Sequence, residues 1–147
     1  MDDSQAIRQI AAAEDEGAVF AVARAFYRTQ GFAALSYARP SRDNPGRSEV
    51  TSFGFPEGFI ADYRDGLAEF DPLPGLAARA GRPVRILDIV EGRLSANQQL
   101  FVDTARKHGL TDGFLLPTFG PRQHIVVFSI TMAEHEDRIA HADLPIL

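Results

Sequence analysis

The sequence contains no cysteine, no tryptophan and no long apolar run among its 147 residues. Without cysteine, neither a disulfide framework nor thiolate chemistry is possible, which fits a reducing compartment. No apolar stretch approaches the roughly 18 residues that a membrane-spanning helix needs. The acidic N-terminus also lacks the basic region of a secretory signal. We therefore expect a soluble, cytoplasmic protein that makes no membrane contact.

Positive charge is scarce and dispersed. The formal net charge is −5, and the 15 lysines and arginines form no run. Because a domain that binds DNA by itself needs a basic face to neutralise phosphates, we expect no independent nucleic-acid role. The length suits one domain over residues 1–147, and a hydrophobic fraction of 45% is enough for an ordinary core.

Patterns typical of catalytic sites are missing as well. The sequence has no nucleophile elbow, phosphate-binding loop, dinucleotide fingerprint or zinc-protease helix motif. His135 and His141 are six residues apart, which places their imidazoles on different faces of a helix and argues against a metal site. We predict that the protein is not an enzyme and holds neither a cofactor nor a metal, with a small hydrolase as the least favoured alternative.

Helical periodicity and capping signals define several segments. Helices are expected at residues 6–11, 16–29, 56–63 and 71–80, and a further helix is expected after a capping box at 95–98. The first of them follows a cap at Asp3 or Ser4, and the third has Pro56 as its first residue. Leu100, Phe101 and Ala105 are expected to point inward from the last of these. A final helix is expected to begin near Glu134.

Strand patterns alternate with these helices. Strands are expected at residues 32–38, 49–53, 114–119 and 125–132, paired as hairpins around turns at 40–46 and 120–122, with an extended piece at 84–89. Tight turns favour antiparallel pairing, and helices stand before, between and after the hairpins. We predict an α/β fold, an α-β-α sandwich with a central antiparallel sheet of about five strands flanked by helices on both faces. Such layers leave room for a cavity between sheet and helices.

Two stretches resemble the autoinducer-binding domain of LuxR-type quorum-sensing regulators. The first is FPEGF at residues 55–59, followed by Tyr63 and by Asp71 before Pro72. The second is GLTDGF at 109–114, followed by Pro117, the turn GPR at 120–122 and VVFS at 126–129. Their order and spacing are similar to the family pattern over roughly residues 15 to 140, which is nearly the whole chain.

The resemblance implies a buried site for an acylated lactone between sheet and helices. In this family, a tyrosine and two tryptophans contact the lactone head, an aspartate accepts the amide N–H, and a late serine or threonine binds the acyl carbonyl. The corresponding ligand-binding residues here are Tyr63, Phe59, Ile86, Asp71 and Ser129, and the apolar candidates for the wall are Phe55, Leu73, Phe101 and Val127.

Each candidate also has a structural interpretation. Asp71 before Pro72 is a good helix N-cap with proline as first residue. The Tyr63 ring fits a core with its hydroxyl at the rim, and Ser129 in a strand has backbone groups within reach. The apolar candidates fit a plain core equally well, since a pocket wall and a core have the same composition.

Two substitutions relative to the family pattern change the expected ligand. Phe59 replaces a tryptophan and so lacks the indole N–H donor, and Ile86 replaces a second aromatic wall. A lost donor facing a buried carbonyl costs roughly 1–3 kcal/mol. We therefore expect a non-standard acyl-homoserine lactone or another lipid-like signal, with Asp71 as the main anchor of its polar head.

Our leading hypothesis is a ligand-binding sensory domain of a LuxR-type transcriptional regulator, active as a homodimer. DNA is then contacted only through a helix-turn-helix domain outside this chain. We expect the chain to be a fragment of a longer regulator, and a natural stand-alone sensor is the alternative. The rival function is a ligand-free dimerisation module that modulates full-length regulators. An open cavity of several hundred Å³ favours the first function, and one filled by Phe55, Phe59 and Ile86 favours the second.

Overall fold

A computed structural model describes residues 1–40, 43, 48–120 and 125–133. The predicted turns at 40–46 and 120–122 lie largely outside these residues. The predicted helix from Glu134, with His135 and His141, lies wholly outside them. Among the described residues, no helix combines the length and the apolar character needed to cross a membrane.

Helices and strands alternate along the described residues. In chain order they are α1 (Asp3–Ala11), α2 (Glu16–Thr29), β1 (Ala34–Pro40), β2 (Ser48–Phe53), α3 (Glu57–Arg64), a 3₁₀ helix (Leu67–Phe70), α4 (Leu73–Ala80), β3 (Val84–Arg85), α5 (Ile86–Val90), α6 (Ala96–Lys107), β4 (Leu110–Phe119) and β5 (Ile125–Ala133). The expected bounds of α2 and the capping box of Ser95 and Gln98 at the start of α6 are confirmed.

The strands form one five-stranded antiparallel sheet in the order β2-β1-β5-β4-β3. Successive side chains of a strand point to opposite faces. On β5, Phe128, Ile130 and Met132 therefore pack against α1 and α2, whereas Val127 and Ser129 point to the other side. With helices on both faces, the predicted α-β-α sandwich is confirmed.

The face beneath α1 and α2 is a closely packed aromatic core. Phe20 of α2 lies 4.9 Å from Phe53 and 6.4 Å from Phe128, measured between ring centroids. Tyr27 and Ile130 are almost completely buried there. The opposite face is covered by α3, α4, α5, α6 and the 3₁₀ helix, whose apolar side chains surround a cavity instead of filling the layer.

Several local expectations were wrong at the level of single residues. The N-cap of α1 is Asp2, which accepts a hydrogen bond from the Gln5 amide at 2.7 Å. Pro56 is the N-cap of α3 and not its first helical residue. Leu100 is 50% exposed, because α6 packs through Phe101, Val102 and Ala105, and adjacent helical residues point about 100° apart.

The extended piece predicted at residues 84–89 is mostly helical. Only Val84 and Arg85 form a strand, and α5 follows directly. The Leu87 amide near the start of α5 donates to the Asp112 carboxylate of β4 at 3.3 Å, and Arg85 donates to the same carboxylate. A tertiary contact therefore turns the chain into a helix at a place where local apolar residues fit a strand equally well.

Gly113 lies where β4 and β5 approach closely. A Cβ atom at this position would overlap the carbonyl oxygen of Ile130 and lie 2.9 Å from the Cα atom of Thr131. The family motif at 109–113 thus ends on a glycine whose lack of a side chain allows the strands to pair.

We expect Gly113→Ala to destabilise the protein by about 3 kcal/mol, because the overlap is with backbone and forces the strands apart. This corresponds to a fall in Tm of about 10 °C for a domain of this size. The control is Gly75→Ala in α4, where the nearest atom to a new Cβ is 4.0 Å away on the Arg79 side chain. It should gain about 0.5–1 kcal/mol from helix propensity. Equal changes in Tm for the two variants would contradict the packing argument.

Candidate ligand-binding site

The candidate site is a cavity between the sheet and the helices α3 to α6. Its volume is about 110 Å³. The floor is formed by β1, β2, β4 and β5, and the walls by α3, α4, α5 and α6. This volume is smaller than the several hundred Å³ that the hypothesis of a sensory domain leads us to expect.

All nine residues predicted as ligand-binding line this one cavity. They come from α3, α4, α5, α6 and β5 and from the segments before α3 and α4, and they are Phe55, Phe59, Tyr63, Asp71, Leu73, Ile86, Phe101, Val127 and Ser129. The structure thus brings the two sequence motifs together around one space. Their contact with a ligand stays a prediction.

Asp71 is hydrogen-bonded to two neighbouring elements, but its expected position as N-cap is wrong by one residue, because the N-cap of α4 is Pro72. Its Oδ1 atom accepts a hydrogen bond at 2.9 Å from the amide of Leu73, the first residue of α4. Its Oδ2 atom accepts a hydrogen bond from the Tyr63 hydroxyl at 3.0 Å. A carboxylate has about four acceptor positions, so capacity for a further donor remains on the side that lines the cavity.

The environment of Asp71 favours its neutral form. Burial among apolar side chains raises the pKa of Asp71 from 3.8 to about 6, although the Leu73 amide and the Tyr63 hydroxyl lower it in part. Burial also raises the pKa of Tyr63, and the adjacent Asp71 charge and hydrogen bond raise it further. Near neutral pH the pair is therefore a carboxylate held by a neutral phenol donor.

One wall of the cavity is a cluster of aromatic rings. Phe59 lies at its centre, with ring centroids 5.8 Å from Phe55, 5.9 Å from Tyr63 and 6.1 Å from Phe101. Tyr63 also meets Phe101 edge to face at 6.3 Å. These distances are those of favourable aromatic pairs, so the wall is packed before any ligand enters.

The cavity floor carries a row of hydroxyl groups that sequence reasoning missed in part. Ser36 on β1 is paired in register with Ser52 on β2 and with Ser129 on β5, and all three line the cavity. The Ser36 and Ser129 hydroxyls are hydrogen-bonded to each other. Only Ser129 was expected. The alignment of the row depends on the register between strands, which cannot be predicted from the sequence of a single strand.

Thr111 and Asp112 also line the cavity and were not predicted. Asp112 is only 2% exposed, and its carboxylate accepts hydrogen bonds from Arg85 Nε at 2.6 Å and from the Gly113 amide at 2.8 Å. With the Leu87 amide as third donor, this carboxylate accepts three hydrogen bonds from the protein, one of them from the Arg85 cation. It fastens the start of α5, and hence Ile86, to β4.

The arrangement suits a small amphipathic molecule. Apolar side chains dominate the walls, Asp71 presents an acceptor, and hydroxyl groups on the floor present both donors and acceptors. The polar groups are few and fixed in position, which is how binding sites orient a ligand while most of the affinity comes from apolar contact.

Solved structures with similar folds come from LuxR-family regulators. The first is CepR2 of Burkholderia cenocepacia, described as an N-acylhomoserine lactone dependent transcription factor, with a TM-score of 0.74 and 18% identity over 94% of this chain and 82% of that chain. The second is SdiA of Escherichia coli, with a TM-score of 0.68 and 16% identity over 99% of this chain and 58% of that chain. SdiA in complex with octanoyl-rac-glycerol has a TM-score of 0.70 and 16% identity over 98% of this chain and 55% of that chain.

These likenesses establish the shared fold, and this chain spans little more than half the length of the two SdiA chains. No curated protein sequence matches the chain. The family model of the autoinducer-binding domain, however, matches residues 15–146. That family is a signal-binding regulatory domain and not a class of enzymes. Because the match extends over nearly the whole sequence, the chain belongs to the autoinducer-binding domain family.

Proposed function

We propose that the chain is the sensory domain of a LuxR-type regulator and binds a hydrophobic signal whose polar head donates a hydrogen bond to Asp71. The observation that carries this proposal is the Asp71 carboxylate, which is held by Tyr63 and by the Leu73 amide at the wall of an otherwise apolar cavity. Both of its oxygens are fixed in position, so a donor on the ligand meets an acceptor that needs no rearrangement.

The ligands named for the related structures narrow the chemistry. CepR2 is described as dependent on N-acylhomoserine lactone, and one SdiA structure contains octanoyl-rac-glycerol. Both molecules join an acyl chain to a small polar head that carries a hydrogen-bond donor, an amide N–H in one and hydroxyls in the other. The Asp71 acceptor, the apolar walls and the serine row fit this shared pattern, with Ser129 and Ser36 within the floor that an acyl carbonyl would cross.

The volume of the cavity sets a condition on this function. Sites for small molecules commonly measure roughly 300–1,000 Å³, whereas this cavity measures about 110 Å³. Either the signal is small or the aromatic wall moves outward when a ligand enters. The small volume also favours the second candidate, a dimerisation module without a ligand, which acts on full-length regulators through pairing alone. Dimerisation is part of both functions, as a homodimer in the first and with a full-length regulator in the second, and DNA contact in either case requires another domain.

We expect N-octanoyl-homoserine lactone to raise the Tm of the protein, because a ligand that binds only the folded state stabilises it. Asp71→Asn should weaken the affinity by about tenfold, since the charged acceptor is replaced by a neutral one. The matched control is Asp62→Asn, which makes the same change in an exposed side chain paired with His108. Calorimetric titration gives the affinities. Absence of binding at millimolar concentration, for this lactone and for octanoyl glycerol, would favour the ligand-free module.

The free energy of unfolding of the ligand-free protein should fall as the pH rises from the ordinary pKa of Asp71 to its raised pKa in the folded protein. The folded-state pKa of about 6 lies above the ordinary 3.8, so the folded protein binds this proton more tightly than the unfolded chain does. The stabilisation is complete below pH 3.8 and is lost by pH 6, an effect of about 3 kcal/mol. Urea denaturation of wild type and Asp71→Asn between pH 4 and pH 7 tests this. The difference in free energy of unfolding between the two proteins should change with pH. A difference that stays constant over this range would exclude Asp71 as the source of the pH dependence.

Affinity for a ligand with an N–H donor should change with pH in the opposite direction. Such a donor favours the ionised carboxylate, and with a pKa of about 6 only a small fraction is ionised at pH 5. We expect N-octanoyl-homoserine lactone to bind about tenfold more weakly at pH 5 than at pH 7. Asp71→Asn should show no such change. A wild-type affinity independent of pH would mean that the ligand does not use this carboxylate.

A further inference from the structure

A β-bulge lies in β4 at the edge of the cavity. Leu110 pairs with Ala133 and Asp112 pairs with Met132, so Thr111 is an extra residue without a partner position on β5. In a regular strand alternate side chains point to opposite faces. Here Leu110, Thr111 and Asp112 are consecutive and all line the cavity. The bulge therefore adds one side chain to the cavity wall, which is a recognised use of bulges beside binding sites.

The hydroxyl of Thr111 is buried and has no hydrogen-bond partner among the described residues. Its neighbours differ, because Leu110 packs in an apolar cluster and Asp112 accepts three hydrogen bonds. Tyr27 has the only other such hydroxyl in the described part of the chain, and it lies in the aromatic core away from the cavity. An unpartnered buried hydroxyl is costly to the fold, and valine offers the same shape without that cost.

Thr111 is the sequence neighbour of a residue that packs with the two positions where this chain departs from its family. Leu110, its neighbour, packs in one cluster with Phe59 and Ile86, which occupy the places of the family tryptophans. Neither Phe59 nor Ile86 has a hydrogen-bond donor, and Asp71 as a carboxylate only accepts. Thr111 therefore adds an uncommitted hydroxyl to the donors that also line the cavity, which are the floor hydroxyls and Arg106.

We propose that Thr111 determines specificity by donating its hydroxyl hydrogen to an acceptor oxygen on the polar head of the ligand. This inference rests on the proposed sensory function. The hydroxyl and the methyl group of threonine share one Cβ, so one rotation about χ1 brings the hydroxyl to the position that the methyl held. The ligand class is then a head with two complementary groups, a donor for Asp71 and a carbonyl or ester oxygen for Thr111.

The test compares two probes that differ only in the acceptor oxygens of the head. N-octanoyl-homoserine lactone and N-cyclopentyl octanamide have the same chain and the same amide, and only the lactone has a ring ester, with one ring oxygen and one carbonyl oxygen. The proteins are wild type, Thr111→Val, which keeps the shape and removes the hydroxyl, and Thr111→Ser, which keeps the hydroxyl. Affinities are measured by calorimetric titration, and the Tm of each ligand-free protein is recorded.

We expect wild type and Thr111→Ser to prefer the lactone over the cyclopentyl amide by about tenfold. Thr111→Val should lose this preference by binding the lactone more weakly while its affinity for the amide stays within about twofold. Its ligand-free Tm should equal or exceed that of wild type, because no hydrogen bond is removed.

Other results overturn the proposal in separable ways. If wild type binds and Thr111→Val leaves the preference unchanged, or weakens both probes equally, Thr111 is not the donor, although the sensory function stands. If Thr111→Val unfolds or melts well below wild type, the hydroxyl has a structural partner and is not free for a ligand. If wild type binds neither probe, the proposed function fails and this inference fails with it.

Discussion

The hydrogen bonds of the Asp71 carboxylate hold the cavity together. One oxygen fixes the first turn of α4 and the other fixes Tyr63 of α3, so a single side chain joins two walls. A buried carboxylate is costly to desolvate, and the raised pKa of Asp71 records that cost. An asparagine side chain would also accept the Leu73 amide hydrogen bond without that cost. The charge is thus not required by the local structure of α4, and it lies at the wall of the cavity.

Much of the fold was predictable from sequence because its signals are local. Apolar periodicity in residues 16–29 and the reciprocal hydrogen bonds of Ser95 and Gln98 need no knowledge of the rest of the chain. The errors arise where a contact with a distant part of the chain determines the local structure. Asp112 turns residues 86–90 into a helix, and the packing direction of α6 leaves Leu100 in solvent. Neither outcome can be read from the segment in which it occurs.

The candidate site divides in the same way. The family resemblance and the apolar pattern around its motifs identify residues by type and spacing, and the nine predicted residues all line one cavity. Ser36 and Ser52 join the site through strand register, and Thr111 joins it through one extra residue in β4. These features belong to pairs of strands. A motif in a single stretch of chain therefore finds the walls of the cavity more readily than its floor.

The alternation of side chains along β5 has a mechanical consequence. Ser129 and Thr131 line the cavity, while Ile130 between them is fully buried beneath α1 and α2. One strand thus forms both the floor of the cavity and part of the aromatic core behind it. Cores are close-packed and transmit strain, so a molecule that presses on the floor loads the packing of the two N-terminal helices. The closely packed layer beneath α1 and α2 therefore supports the sheet on which the cavity of the opposite layer rests.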